Sequence, residues 1–406
     1  MPKEALKSQP LFEKLVLDFA DSKQVFNFAK QKNNGIIIMK KQNTTISICK
    51  GIAIILMVMG HAEGPGLLMN FIYLFHMPIF FITAGYFFSR RYLTDSWTYV
   101  EKRFAGLYVP MVKWSLVFLL LHNLFFEVGL LNEQFGNWEN GVTHPYTSRQ
   151  MCQRAVNIVF SMAGYDEFLL GAFWFFRALL VTSILFMALY RLLDGRRRWL
   201  QGNGAVVAII VAALAFAAFR IGNGVKILTI IQGGIRENWG VIFFGVGVLF
   251  RSYEHKIKEH WTLALLFFVL LVGGAHLHLA GMNLSPKLID VLTLPVTGTI
   301  GFLMVHYVSG VIDRHPGILR TFLVHAGNMT VYIYVFHIIS FKVVSAIKIM
   351  WYGLDWGQIG CHMVIHEHHD DLFWVLYTIA GVGLPLLWMM GYNSVKARLA
   401  RTKEHV

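Results

Sequence analysis

Ten long apolar stretches limit what this chain can fold into. A membrane-spanning helix needs roughly 20 mostly apolar residues, and in lipid each backbone polar group must find its partner within the protein. Hydrophobic residues make up 56% of the 406 residues and charged residues only 15%, whereas soluble domains hold about 45–50% and about 25%. This composition excludes a disordered chain and argues against a soluble enzyme. The sequence predicts an all-α polytopic membrane protein with spans near 46–62, 70–89, 106–126, 171–190, 203–219, 239–250, 261–280, 288–310, 329–349 and 373–391.

The positions of Arg and Lys indicate the orientation of these spans. Alternate loops are rich in basic residues, and basic loops stay in the cytoplasm. The net charge of +13 is therefore explained by topology, and no nucleic-acid partner is expected. About ten transmembrane helices with both termini in the cytoplasm are predicted from the basic segments 90–103, 191–198, 251–260, 311–320 and 396–406.

The chain is predicted to have three parts. Residues 1–38 are polar and Lys-rich and lack the apolar core of a signal peptide. We interpret them as a disordered cytoplasmic extension or as an upstream-extended start before Met39. Residues 39–395 form the transmembrane domain, and residues 396–406 form a basic cytoplasmic tail. Three widely separated cysteines indicate neither a disulfide framework nor a metal knuckle.

The first span carries a basic residue and a histidine on one face. Lys50 and His61 are eleven residues apart, which is about three helical turns and about 16 Å along the axis. Ionisable groups inside a bilayer are costly and are candidates for function by default. The predicted topology puts Lys50 near the cytoplasmic end and His61 near the outer end. Alternatively, Lys50 is an interfacial lysine that extends toward water, and His61 only ends the helix.

The second span adds a motif through which the chain resembles a known family. Residues 75–88 read Phe-His-Met-Pro-Ile-Phe-Phe-Ile-Thr-Ala-Gly-Tyr-Phe-Phe, which puts His76 at a depth similar to that of His61. The membrane-bound acyltransferase 3 family opens with Arg or Lys, ten residues, a His, then Phe-x-Met-Pro-x-Phe-Phe and Ser-Gly-Tyr/Phe. Residues 45–115 closely resemble this signature, although Ala84 stands where the family usually has Ser. The resemblance is to the single-domain type, without the soluble extension that some members carry.

The resemblance implies acyl transfer, and the residue types suit that chemistry. It implies acetyl-CoA as the donor and no permanently bound cofactor, and Lys50 could meet the phosphates of the donor. Transfer to a hydroxyl needs a base, and the pKa of histidine suits that role, so His61 is the predicted catalytic base. The tetrahedral oxyanion also needs hydrogen-bond donors. The candidates for that role or for substrate binding are His76, Trp174, Arg177, Glu63, Tyr334 and His337.

For two of these candidates, a purely structural role is as well supported by the sequence as a functional one. Arg177 lies one turn after Trp174 inside a span and could pair with a carboxylate such as Glu63. His337 lies within a span with Tyr334 one turn away, and it could be a buried histidine whose hydrogen bonds are satisfied.

An outer loop, residues 361–371, contains groups that can bind a metal. His362 and His366 are four residues apart, as on one helix face, but the loop lacks the HExxH pattern. We interpret it as a solvated loop and predict no metal site.

Together these patterns predict an O-acyltransferase of the bacterial cytoplasmic membrane. The acceptor would be a hydroxyl of a cell-surface glycan or of its lipid-linked precursor, and the chain would be surrounded by membrane lipids. The alternative is a polytopic transporter of a glycan or small solute, although paired helix breaks in two halves, which are typical of transporters, are not evident. A structural membrane subunit would leave Lys50 and His61 unexplained.

Overall fold

The structure is built of helices. A computed structural model of the chain describes residues 43–136, 144–163, 168–170, 173–227 and 231–404. The predicted extension, residues 1–38, lies outside the described residues. Helices account for 78% of the structure, and the described part contains no strand. The α-helices are α1 Thr44–His61, α2 Gly66–Tyr73, α3 His76–Tyr86, α4 Ser96–Arg103, α5 Val109–Glu127, α6 Ser148–Ser161, α7 Trp174–Leu193, α8 Asn203–Asn223, α9 Ile235–Tyr253, α10 Trp261–His276, α11 Asp290–Arg314, α12 Ile318–Asn328, α13 Thr330–Tyr352 and α14 Phe373–Glu404.

Short helical turns join several of these helices. A π-helical turn, Phe104–Tyr108, connects α4 to α5 without a break. The 3-10 turns are Arg90–Leu93, Phe168–Leu170, Arg198–Leu200, Ile231–Gly234, Glu254–Lys256 and Trp356–Gly360.

The chain is an all-α polytopic membrane protein. The described residues include eight stretches that are long and apolar enough to cross a membrane. The other two predicted spans, 239–250 and 261–280, are also helical, as α9 and α10. α9 has 19 residues but carries Arg236, Glu237 and Arg251, and α10 has only 16 residues. The eight stretches are Thr44–His61, Gly66–Tyr86, Ser96–Glu127, Trp174–Leu193, Asn203–Asn223, Asp290–Arg314, Thr330–Tyr352 and Phe373–Val395.

The second predicted span is interrupted between α2 and α3. Pro78 lies in the first turn of α3, where its missing N–H is tolerated. A continuous helix would require that N–H to bond the carbonyl of Leu74, so the chain bends there instead. The bend sets the position of His76, the first residue of α3.

α3 runs antiparallel to α1. The Tyr73 hydroxyl, just before α3, donates to the carbonyl of Gly60 at 2.8 Å. At the other end of α3, Asn43 Nδ2 donates to the Tyr86 hydroxyl at 2.8 Å, and Asn43 caps the start of α1. The start of α3 is therefore next to His61, and its end is next to the start of α1.

Glycines let the helices that carry the motif approach their neighbours closely. A Cβ added at Gly85 of α3 would collide with the carbonyl of Phe244 on α9, and one added at Gly247 would collide with that of Ile82. α1 and α12 meet in the same way, because a Cβ on Gly51 would collide with the carbonyl of Leu323. Such backbone contacts between helices require glycine.

α1 lies inside the bundle. It packs against α3, α11, α12, α13 and α14, and most of its side chains are buried. The face that carries Lys50 and His61 is therefore enclosed by other helices and does not point into lipid.

Candidate active site

His61 contacts a second histidine from a distant part of the chain. His61 Nδ1 lies 2.8 Å from Nε2 of His337 on α13, and 276 residues separate the two. Their rings are stacked, with centroids 5.1 Å apart and an angle of 24° between the planes. His337 is fully buried and His61 is half-buried. Two of the predicted site residues therefore form one unit.

Hydrogen bonding fixes the tautomers of this pair in the neutral state. His337 Nδ1 lies 2.9 Å from the carbonyl oxygen of Tyr334, and a carbonyl only accepts, so Nδ1 carries the proton. His337 Nε2 is then an acceptor, and the nitrogen that donates to it is Nδ1 of His61. Nε2 of His61 is consequently unprotonated, and it has no hydrogen bond to any residue that the structure describes. This nitrogen is available as a proton acceptor.

A cavity of about 160 Å³ lies between α1, α3, α7 and α13. Lys50 is at one end of it, and its remaining walls are largely apolar. The Lys50 ammonium has neither an ion pair nor a hydrogen bond with any described residue. A cation in such surroundings is costly unless something binds it. The lining residues are Lys50, Ile54, Met57, Met77, Phe80, Thr83, Ala84, Phe87, Leu107, Phe175, Phe176, Leu179, Thr330, Val331 and Tyr334.

The cavity leads from Lys50 toward the two histidines and ends about one helical turn before them. On α1, Met57 is the last lining residue, and His61 follows four positions later. On α13, Tyr334 is the last lining residue, and His337 follows three positions later. One turn of helix rises about 5.4 Å. The space for a ligand and the free nitrogen of His61 are therefore neighbours.

His76 lies close to this pair but is constrained by its own hydrogen bond. It is buried, and its Nδ1 donates to the carbonyl of Ile72 at 2.8 Å. His76 and His362 both lie within electrostatic range of His61. Because Nδ1 of His76 carries the proton, its Nε2 is an acceptor in the neutral ring. An oxyanion contact by His76 would therefore require a protonated ring.

Arg177 is held by a carboxylate, and that carboxylate is Glu237, not Glu63. Arg177 Nε lies 3.1 Å from Glu237 Oε1, and the two side chains are only 5% and 4% exposed. The neighbouring Trp174 lies under the guanidinium of Arg236, 3.9 Å from its ring centroid. A buried pair of this kind cannot lose one partner without leaving a desolvated charge. The Arg177–Glu237 pair joins α7 to α9.

Glu63 instead pairs with the outer loop. Its Oε2 lies 2.7 Å from Nδ1 of His366, and the side chains are 44% and 62% exposed. The hydrogen bond from Glu63 raises the pKa of His366 above its ordinary value of 6.5. Burial lowers the pKa of the neighbouring His362 to about 4. The two histidines that were considered as possible metal ligands therefore have opposite environments.

Residues 361–371, here called the outer segment, contact the chain just after the end of α1, where His366 pairs with Glu63. Two buried lysines of α13 hold this segment mainly by its backbone. Lys342 Nζ donates to the carbonyl of Cys361 at 2.5 Å. Lys348 Nζ donates to the carbonyls of Ile365 and His368 at 3.3 and 3.2 Å. It also pairs with Asp371 at 3.2 Å.

Sequence reasoning gave these two lysines no role, although the signal was available. Lysines inside an otherwise apolar span are costly and need a partner. What the sequence does not show is the partner, because the carbonyl groups of a loop carry no residue-specific signature. No group of three or more His, Cys, Asp or Glu side chains that could hold a metal occurs in the described ranges.

Comparison with known proteins identifies a family. The sequence model of one protein family, described as an acyltransferase domain of acyltransferase type 3, matches residues 43–392. No curated protein and no solved structure matches the chain. The match covers nearly the whole chain, including all the site residues described above.

Proposed function

Because the chain belongs to the acyltransferase 3 family, we propose that it transfers an acetyl group from acetyl-CoA to a hydroxyl. The acceptor we propose is a cell-surface glycan or its lipid-linked precursor, at the bacterial cytoplasmic membrane. The observation that carries the proposal is the order of three features along α1: Lys50, the cavity and the free nitrogen of His61. In this arrangement, Lys50 is a cation that can bind phosphate, the cavity is a space for a thioester, and His61 is a base.

The Lys50 end suits a donor that carries phosphates and an adenine. Lys50 offers an unpartnered cation, and the largely apolar cavity beyond it suits the thioester end of the donor. Leu107, which lines the cavity, lies one turn after Arg103. Arg103 lies over the ring of Tyr99 at 4.9 Å, and Lys102 lies over Tyr92 at 5.5 Å. Cations beside aromatic faces can bind phosphates and stack on a base.

The spacing between the cavity and His61 leaves room for one hydroxyl. A general base lies about 2.6–3.2 Å from the oxygen that it deprotonates, and the attacking oxygen lies about 3–3.5 Å from the carbonyl carbon. The base and the thioester carbon are then about 6 Å apart. The cavity ends about one helical turn from His61, a rise of about 5.4 Å. A thioester at that end and an acceptor hydroxyl at Nε2 would be in reacting distance.

The proposed reaction uses His61 twice. Nε2 of His61 takes the proton of the acceptor hydroxyl as its oxygen forms a bond to the thioester carbonyl carbon. The tetrahedral intermediate then breaks its C–S bond, and the CoA thiolate takes the proton back from His61, which gives the ester and free CoA. His61 is the last residue of α1, and the carbonyl end of a helix favours an adjacent positive charge. His337 is a positioning residue, because it holds Nδ1 of His61 and leaves Nε2 free.

Mass spectrometry of surface glycans tests this function directly. Cells with the protein should carry acetyl esters that are absent from cells without it, and purified protein in liposomes should release free CoA from acetyl-CoA only when acceptor is present. Movement of a glycan or solute across the liposomes without consumption of acetyl-CoA would support the transporter alternative and contradict the proposal.

The direction of transfer depends on the orientation of the chain. Cysteines introduced into loops 90–103 and 191–198 should be protected from an impermeant thiol reagent in intact cells. Cysteines in loops 127–150 and 351–372 should react. The reverse pattern would put His61 near the cytoplasm and contradict transfer to an outer acceptor.

A further inference from the structure

The wall of the cavity nearest to His61 is made partly of two methionines. Met57 lies on α1 one turn before His61, and Met77 follows His76 at the start of α3. Both are buried, at 2% and 8% exposed. Because α3 runs antiparallel to α1, these two residues line the same end of the cavity, opposite Lys50.

The buried side chains of Met57, Met77 and Tyr334 close that end of the cavity, and the small volume of the cavity suits a short group there. A cavity of about 150 Å³ holds a molecule of about six non-hydrogen atoms, and this cavity measures about 160 Å³. An acetyl thioester with the two carbons next to its sulfur is about that size. Longer acyl chains would need further space, and each added methylene in a filled apolar pocket is discriminated about 10- to 200-fold.

The other side chains at this end are less able to change their conformation. Tyr334 is enclosed by the rings of Phe173, Phe175 and Phe176, with centroids 5.1–6.0 Å away. Methionine, in contrast, is unbranched and has three rotatable bonds, so it adapts its shape to a neighbour. Substitution of the methionines is therefore the most direct way to lengthen this end of the cavity.

We infer that Met57 and Met77 limit the acyl chain of the donor to about two or three carbons. This inference rests on the proposed function, because it assumes that the thioester of acyl-CoA lies between Lys50 and His61. It adds a residue-level basis for donor selection, and it predicts that shortening either side chain admits longer acyl groups.

Competition between donors of different length tests the inference. Radiolabelled acetyl-CoA is bound to the full-length protein in nanodiscs and displaced by unlabelled acetyl-, propionyl-, butyryl- and hexanoyl-CoA. For the unsubstituted protein, acetyl- and propionyl-CoA should compete best, and butyryl-CoA should be at least about tenfold weaker. In Met57→Ala and Met77→Ala, the affinity for butyryl-CoA relative to acetyl-CoA should rise at least about tenfold.

The controls separate cavity shape from general damage. Met187→Ala removes a methionine of similar burial, 6% exposed, that does not line the cavity, and it should keep the original order of donors. Met77→Leu keeps the side-chain volume and should also keep that order. If the Ala variants do not fold, Met57→Val and Met77→Val shorten the same side chains more mildly and should shift the preference in the same direction. An unchanged order of donors in folded variants at both positions would overturn the inference.

Each outcome has a distinct meaning. Equal displacement by all four donors would overturn the inference but not the proposed function, and so would an equal shift in Met187→Ala. Failure of the unsubstituted protein to bind acetyl-CoA, under conditions where it is folded, would overturn the proposed function and the inference with it.

Discussion

The lysines near the two ends of α1 have opposite environments. At one end, Lys50 lines an apolar cavity without a partner among the described residues. At the other end, Lys342 and Lys348 are buried and bound to backbone carbonyls, and Lys348 also pairs with Asp371. The difference teaches how to separate intramembrane charges that bind a ligand from those that hold the fold. A satisfied cation stabilises its neighbours, whereas an unsatisfied one is retained at a cost and points to a ligand.

The largest expected effect is at His61, the last residue of α1. His61→Ala should lower glycan acetylation about 10²–10⁴-fold, because it removes the proposed base, while the amount of protein in the membrane stays unchanged. The readout is mass spectrometry of surface glycans together with quantification of the protein. His122→Ala is the matched control, since His122 is buried and bonded to a carbonyl but does not line the cavity.

The amide substitutions separate a base from a polar residue that ends the helix. His61→Asn and His61→Gln keep a polar group but cannot accept and return a proton near neutral pH. Both should be as inactive as His61→Ala. Full acetylation by either variant would exclude His61 as the base.

The lysine comparison predicts opposite effects on stability. Lys348→Met leaves Asp371 and two carbonyls without their partner and should destabilise the protein by about 3–5 kcal/mol. Lys50→Met removes no bond to a described residue and should leave the thermal unfolding temperature unchanged or raised. Thermal unfolding of both variants in detergent measures this difference, and equal destabilisation would remove the distinction between the two ends.

Substitution of Lys50 should change the KM for the acetyl-CoA donor. Lys50→Ala loses a charge-assisted contact worth about 1.5–3 kcal/mol, so the KM for acetyl-CoA should rise roughly 10- to 150-fold. Lys50→Arg should keep much of the activity, because the family signature admits either cation and both bind phosphate. Kinetics with purified protein distinguish the variants. An unchanged KM in Lys50→Ala would mean that this lysine does not meet the donor.

A smaller effect is expected when His337 no longer holds His61. His337→Ala should lower kcat roughly 10- to 100-fold while the KM for acetyl-CoA stays the same, because the ring of His61 loses its orientation. His337→Gln keeps an acceptor oxygen for Nδ1 of His61 and should recover part of that loss. If the Ala and Gln variants are equally impaired, the hydrogen bond is not what matters.

The smallest effect concerns the pair that ties the outer segment to α1. Glu63 raises the pKa of His366, so the pair contributes stability that is present below the ordinary pKa of 6.5 and is lost as pH rises through the raised value. The contribution should be below about 1 kcal/mol, since both side chains are half-exposed. Glu63→Gln should therefore lower the unfolding temperature slightly at pH 5.5 and not at pH 8.5. Glu133→Gln, at another exposed carboxylate, is the control.

The sequence predicted the helices well because their signal is local. Eight of the ten predicted spans correspond to stretches that are long and apolar enough to cross a membrane, and the other two are helical. Lys50 and His61 both lie in α1, where their eleven-residue spacing puts them on one face. The interruption between α2 and α3 was not predicted, although Pro78 lies beside it in the sequence. Hydropathy alone does not distinguish one bent span from one straight span.

Contacts between distant spans were not available from one sequence. His337 was a candidate, but nothing local indicates that it meets His61 across 276 residues. A carboxylate partner for Arg177 was anticipated, yet Glu63 was the wrong choice, because Arg177 pairs with Glu237 and Glu63 pairs with His366. Glu237 lies just before the predicted span 239–250, in the first turn of a helix that begins earlier, at Ile235. Pairing in a helical bundle depends on which faces meet, and helix periodicity does not determine that.

The lysines of α13 have a consequence for how such a protein can diversify. Lys342 and Lys348 hold the outer segment largely by carbonyl oxygens, and every residue type supplies the same carbonyl. Apart from Asp371, the side chains of this segment can be exchanged without losing those bonds. Under the proposed function, this segment lies beside the His61 end of the site, because His366 pairs with Glu63 just after α1. Substitutions within one short segment would then alter the acceptor side of the site while the lysine contacts stay in place.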